Sequence, residues 1–166
     1  MMQSSLALQR LPGGEAVVRL ADEAATLALG QRLGLALRPG LKVYLRGELG
    51  SGKTTLVRGA LHALGYRGRV KSPTFALVEV YRISSLYLYH FDFYRFENPQ
   101  EWRDAGFREH FAGPGVCLVE WPEKAGGLLP APDLTVTLEH EHGGGRIARL
   151  RSGGEQGNQC LDQITQ

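Results

Sequence analysis

The chain has 166 residues, 43% of them hydrophobic and 22% charged, with a formal net charge of +2. That is enough for one globular domain with its own core, and too balanced for a polycation that wraps nucleic acid, so any contact with RNA would run through a local patch or a partner. Cys117 and Cys160 share no metal or redox spacing, no apolar run reaches membrane-spanning length, and Leu6-Ala7-Leu8 is too short for a signal segment; the expectation is a reduced cytoplasmic protein with no membrane and no DNA partner.

In chain order, Met1 to Gly14 reads as a loose start and Ala16 to Leu20 as a short strand. Asp22 is placed to cap a helix whose Ala25, Leu29, Leu33, Ala36 and Leu37 fall on one face, and Pro39-Gly40 ends it. Leu41 to Leu45 alternates as a strand does, and Thr55 to Leu64 is helical in spacing with Gly65 at its end. Phe75 to Tyr81 and Leu86 to Phe91, joined by Ile83-Ser84-Ser85, read as a hairpin, which makes the sheet mixed. Asn98-Pro99-Gln100-Glu101 resembles a capping box opening a short helix to about Ala105, and a second helical piece runs from Phe107 to Phe111. Val116 to Glu120 is a buried strand that delivers an acid at its C-terminal end. Leu134 to Leu138 and Arg146 to Arg151 are strands flanking the Gly143-Gly144-Gly145 turn. The Gly/Gln-rich stretch 153–166 is poor in apolar residues and reads as a flexible tail, leaving 1–152 as a single domain.

One stretch carries most of the functional information. Gly47-Glu48-Leu49-Gly50-Ser51-Gly52-Lys53-Thr54 fits G-x-x-x-x-G-K-[ST], a match expected by chance in roughly one of two hundred chains of this composition. It also stands where it should, after a strand and opening a helix. Glycines bring backbone N–H groups of Glu48 to Thr55 close to phosphate oxygens, Lys53 supplies a cation for the β- and γ-phosphates, and the Thr54 hydroxyl offers an oxygen to Mg²⁺. The helix dipole points at the same anion.

A phosphate loop binds a triphosphate but does not complete a hydrolytic site. Glu120, at its strand end, is the best candidate to hold Mg²⁺ directly or through water. Asp92 could bind a Mg²⁺ water or polarise the attacking water, or simply cap a turn. Ser72-Pro73-Thr74 could act as a switch or be an ordinary turn; Arg95 could neutralise transition-state charge or pair with a surface acid. Tyr94 and Trp121 are read as core or interface aromatics, and His90 as a core or loop-positioning residue. His140 and His142, beside Glu139 and Glu141, have metal-like spacing but adjoin a glycine turn and are read as solvent-exposed.

Gly-Glu-Leu-Gly-Ser-Gly-Lys-Thr-Thr (47–55), Lys-Ser-Pro-Thr-Phe (71–75), His-Phe-Asp-Phe-Tyr-Arg (90–95) and Leu-Val-Glu-Trp-Pro-Glu (118–123), in that order and spacing, resemble the TsaE (YjeE) family. That is the bacterial P-loop ATPase of tRNA threonylcarbamoyladenosine biosynthesis, and the likeness covers roughly residues 21 to 151. It implies an α/β, P-loop NTPase-like three-layer domain with a mixed, mostly parallel sheet, which binds ATP/ADP and Mg²⁺. Thr54 and Glu120 would be the metal ligands and Asp92 would join Glu120 in the catalytic centre. Ser72, Thr74, Arg95 and Trp121 would belong to switch-like regions, and Thr26 and Arg146 are the candidates for adenine contacts. The implied partner is a TsaB–TsaD heterodimer, which meets the tRNA. ATP hydrolysis, weak alone, would reset that complex between turnovers.

Three other readings compete. A small-molecule P-loop kinase would carry an Arg-rich lid, and only scattered arginines follow Glu120. A GTPase-like regulator would carry an Asn-Lys-x-Asp guanine reader, which is absent. The third is a nucleotide-holding scaffold without turnover.

Overall fold

The structure is a computed structural model that describes residues 6–73 and 76–166. Its elements run β1 (Gln9–Leu11), β2 (Glu15–Leu20), α1 (Glu23–Ala36), β3 (Lys42–Gly47), α2 (Lys53–Ala63), β4 (Val78–Ile83), β5 (Leu86–Asp92), α3 (Gln100–Asp104), α4 (Arg108–Ala112), β6 (Val116–Glu120), a 3-10 segment (Pro122–Leu128), β7 (Leu134–His140), β8 (Arg146–Ser152) and α5 (Glu155–Thr165). One sheet holds all the strands in the order β1-β2-β8-β7-β3-β6-β5-β4.

The sheet is mixed, as the hairpin requires, and the parallel pairings join β7, β3, β6 and β5 at its centre. The other four pairings are antiparallel, so the parallel share is smaller than expected. For three of them the reason is local: the connections β1–β2, β4–β5 and β7–β8 are short, and a short connection can only return antiparallel; the fourth joins β2 to β8 across the chain. In the β4–β5 hairpin the turn is Ser84-Ser85, with Ser84 at φ +56°.

Alternation along each strand sorts the core into two layers. Val43, Leu45, Leu88, Leu118, Val136 and Leu150 face α1, α2 and α5, in an almost wholly aliphatic core. Tyr44, Phe91, Cys117 and Val119 face the other way, against Phe93, Phe96, Trp102, Phe107 and Phe111 on and around α3 and α4. The result is a three-layer α/β domain. Asp22 caps α1 as expected, its carboxylate accepting from the Ala25 N–H at 2.9 Å. α1 and α2 meet through glycines: a Cβ on Gly30, Gly34 or Gly59 would collide with the carbonyl of Leu56, Ala60 or Leu27 respectively.

Two expectations are corrected at the chain's ends. Residues 9–11 form β1, paired to β2, where a loose start was expected. Residues 155–165 form α5, where a flexible tail was expected. Gly157, Cys160, Leu161 and Ile164 are buried at i, i+3, i+4, i+7 spacing, and that stripe closes the aliphatic layer over β8 and α1. The few apolar residues are all on one face, so a low apolar content still makes a core helix.

Candidate active site

β3 ends at Gly47, and the chain turns through Glu48–Gly52 before α2 begins at Lys53. Gly47 and Gly52 sit at φ +149° and +108°, where an L side chain is strained, and a Cβ on Gly47 would also meet Ser51 and the Leu138 carbonyl. Glycine therefore decides the shape of the loop. The first turn of α2 leaves its N–H groups without helical partners, aimed into a cleft of about 370 Å³. Leu49 to Thr55, Ser72, Asp92, Tyr94, Glu120 and Trp121 line that cleft.

Parallel pairing of β5 with β6 sets Asp92 opposite Glu120, both buried, at the C-terminal edge of the sheet. The Thr54 hydroxyl donates to Glu120 and lies 3.0 Å from Oε2 and 3.2 Å from Oε1. His90 Nε2 lies 2.6 Å from the same Oε2. Asp92 accepts from the Ser72 hydroxyl through one oxygen and from the Tyr94 N–H, at 2.9 Å, through the other. Residues from four separate segments thus converge beside the phosphate loop.

Lys53 donates to the carbonyls of Gly47 and, at 3.1 Å, Glu48. Its ammonium lies 4.3 Å from the centre of the Trp121 ring, a cation–π distance. Burial lowers its pKa from the usual lysine value, and the carboxylates of Glu120, Asp92 and Glu123 oppose that shift. Trp121 adopts a left-handed conformation, φ +58° and ψ +48°, sparsely populated for so bulky a residue, and packs on Tyr94 with ring centroids 5.1 Å apart. The pair forms one wall of the cleft.

A second cavity of about 240 Å³ adjoins the far side of the loop, lined by Thr26, Gly50–Gly52, Thr55 and Arg146 among others. Arg146 donates to the carbonyls of Ser51 at 3.1 Å and Gly50 at 3.0 Å, tying β8 to the loop. Thr26 is buried against Gly52. Both candidates for adenine contacts therefore stand next to the phosphate loop, outside the phosphate cleft.

The sequence model of the TsaE family, described as threonylcarbamoyl adenosine biosynthesis protein TsaE, matches residues 20–148. The chain belongs to the TsaE family. The tRNA threonylcarbamoyladenosine biosynthesis protein TsaE of Haemophilus influenzae is 44% identical over 124 residues, covering 72% of this chain and 78% of that one. Its counterpart in Bacillus subtilis is 38% identical over 121 residues, covering 73% and 75%. A crystal structure of Bacillus subtilis YdiB superposes with a TM-score of 0.79 at 27% identity, covering 97% of each chain.

Of the residues that the TsaE resemblance singles out, Glu48 and Leu49 are exposed on the loop, with Leu49 68% accessible. Arg95 is exposed and is not among the described residues lining the cleft. Thr74 lies outside the described residues. Tyr94, read from the sequence as a core or interface aromatic, is a wall residue of the cleft. The buried His90 contacts Glu120, a contact with no sequence signal because the two are thirty positions apart.

Proposed function

We propose that this chain is the ATP-binding and ATP-hydrolysing subunit of the cytoplasmic machinery that makes threonylcarbamoyladenosine in tRNA. Hydrolysis resets a TsaB–TsaD pair between turnovers, and tRNA is met only through that pair. Family membership supports the pathway, and the printed names of the relatives agree with it. The observation that carries the enzymatic part is the convergence of Thr54, Glu120 and Asp92 on one side of the phosphate loop.

The donor set fits Mg²⁺. The Thr54 hydroxyl and Glu120 carboxylate are hard oxygen ligands in contact with each other. Mg²⁺ fills the rest of its shell with water and phosphate oxygens and needs no all-protein cage, so the absence of a three-residue His/Cys/Asp/Glu cluster among the described residues suits it. When bound, the ion neutralises charge on the β- and γ-phosphate oxygens. The backbone amides of residues 48–55 hold the phosphates, and Lys53 exchanges its carbonyl partners for phosphate oxygens. Glu120 contacts Thr54 and His90, Asp92 accepts from Ser72 and Tyr94, and each keeps lone pairs facing the cleft. With Glu120 beside Thr54 as the cation ligand, Asp92 is the carboxylate assigned to orient the attacking water. Thr26 and Arg146 flank the adenosine end, and Ser72, Trp121 and the segment around Tyr94 and Arg95 respond to the γ-phosphate.

The test is phosphate release from Mg-ATP by the purified chain, alone and with its cognate TsaB–TsaD pair. The expected result is a low rate that rises with the pair and disappears in Lys53→Ala, whose nucleotide affinity falls on the order of 10- to 100-fold through loss of charge-assisted hydrogen bonds. Transfer of phosphate to a small metabolite, or a rate indifferent to both changes, would overturn the reading.

A further inference from the structure

Every second residue of β5 shares the face that α2 covers: Leu88, then His90, then Asp92. Val116, Leu118 and Glu120 of β6 stand beside them on that same face. The row is apolar until its end, and His90 is the residue at which it changes character. Its side chain is wholly inaccessible, and its one hydrogen-bonded contact among the described residues runs from Nε2 to Glu120 Oε2 at 2.6 Å. Nδ1 has no hydrogen-bond partner among the described residues.

Chemistry fixes the direction of that contact. An ionised carboxylate only accepts, so Nε2 carries the hydrogen and donates it. A histidine kept merely to fill space would be a poor choice here, because it brings a polar ring into an aliphatic layer and leaves one nitrogen unpaired; leucine would fill the site without that desolvation cost. What the ring supplies that leucine cannot is a donor at a set height, one residue-pair below the edge of the sheet, pulling on the oxygen that also contacts Thr54.

We propose that His90 is the positioning residue for Glu120. Its Nε2–H holds the carboxylate in the rotamer that faces Thr54, so the two oxygen ligands are assembled before nucleotide arrives. Outer partners of this kind orient metal-binding side chains and tune their affinity. The inference rests on the reading of Glu120 as a cation ligand, and the experiment separates the two.

Two amides that differ in reach make the test. In His90→Gln the side-chain N–H extends to about the position of Nε2; in His90→Asn it stops a methylene short. A fluorescent ADP analogue is titrated against each variant in Mg²⁺ and in EDTA, and the ratio of the two affinities gives the Mg²⁺ enhancement. Glu120→Ala is measured alongside, and thermal melting checks that each chain is folded. The expected outcome is a loss of enhancement of about 10-fold or more in His90→Asn. His90→Gln should keep most of the enhancement, and affinity in EDTA should stay within about twofold throughout. If His90→Asn destabilises the fold, His90→Leu takes its place, since it removes the donor without adding a polar atom, and the same loss is expected. Equal behaviour of the long and short amides, or a matched fall in EDTA, overturns the positioning role. Should Glu120→Ala itself retain the enhancement, the cation reading fails first; should Glu120→Ala lose it while His90→Asn and His90→Leu do not, only the present inference fails.

Discussion

One face of the sheet is covered by three helices of 14, 11 and 11 residues packed through Leu, Val and Ala, and the other by two five-residue helices and a 3-10 segment packed through Phe and Trp. The first layer gains close approach from glycines, with backbone against backbone and no room to give. The second gains area from large rings on short pieces of chain, stacked or edge-on. The cleft lies where the layers meet. Lys53 and Thr54 come from the rigid side, while Tyr94 and Trp121 adjoin the aromatic one. Holding phosphate demands fixed geometry, and responding to it demands segments whose packing can be rearranged piece by piece.

If that contrast is sound, the two layers should fail differently. The largest effect is expected from Gly59→Leu, whose Cβ would run into the Leu27 carbonyl. It should exceed the roughly 1–3 kcal/mol usual for overpacking, because backbone must move. Phe111→Ala should follow at about 3 kcal/mol, the low end for a buried phenylalanine, since α3 and α4 are short enough to close on the space. Denaturant melts of the two variants give the order directly, and a reversed order would dissolve the distinction. Next comes Asp92→Asn, at the sheet edge between the two layers: ATP hydrolysis should drop by about 100-fold while nucleotide affinity holds. An unchanged rate would return Asp92 to a turn residue that merely accepts from Ser72 and Tyr94. The smallest effect concerns the thiols, one in each layer. Burial pushes Cys117 up to about 12 and Cys160 up to about 11, so thiolate is scarce near pH 8. A thiol reagent at that pH should leave both untouched in the folded chain and label both in denaturant. Selective reaction at Cys117 would mark the aromatic layer as the looser one.

Local signals carried much of this architecture. The Asp22 cap, the apolar face of α1, the run from β3 through the glycine loop into α2, and the acid ending β6 are each written within a dozen neighbouring residues, and each stands as read. What was illegible depended on register or on counting. Nothing near His90 announces Glu120, because which rungs of β5 and β6 lie side by side is settled only when the sheet assembles. α5 was hidden by its Gly/Gln content, although Gly157, Cys160, Leu161 and Ile164 keep helical spacing; position outweighed composition. β1 is three residues long and gains its place from the Glu15–Leu20 strand beside it.

The last turn of α5 has a further implication. Arg32, on α1, donates to the carbonyls of Ile164 at 3.1 Å and Gln166 at 3.4 Å. Six residues earlier on the same helix, about 9 Å along its axis, Thr26 leans on Gly52. A purification handle or fluorophore appended after Gln166 would thus tug on a strut whose opposite end braces the nucleotide loop. Labels for binding work are better carried at Gly143-Gly144, both exposed and with open space around them.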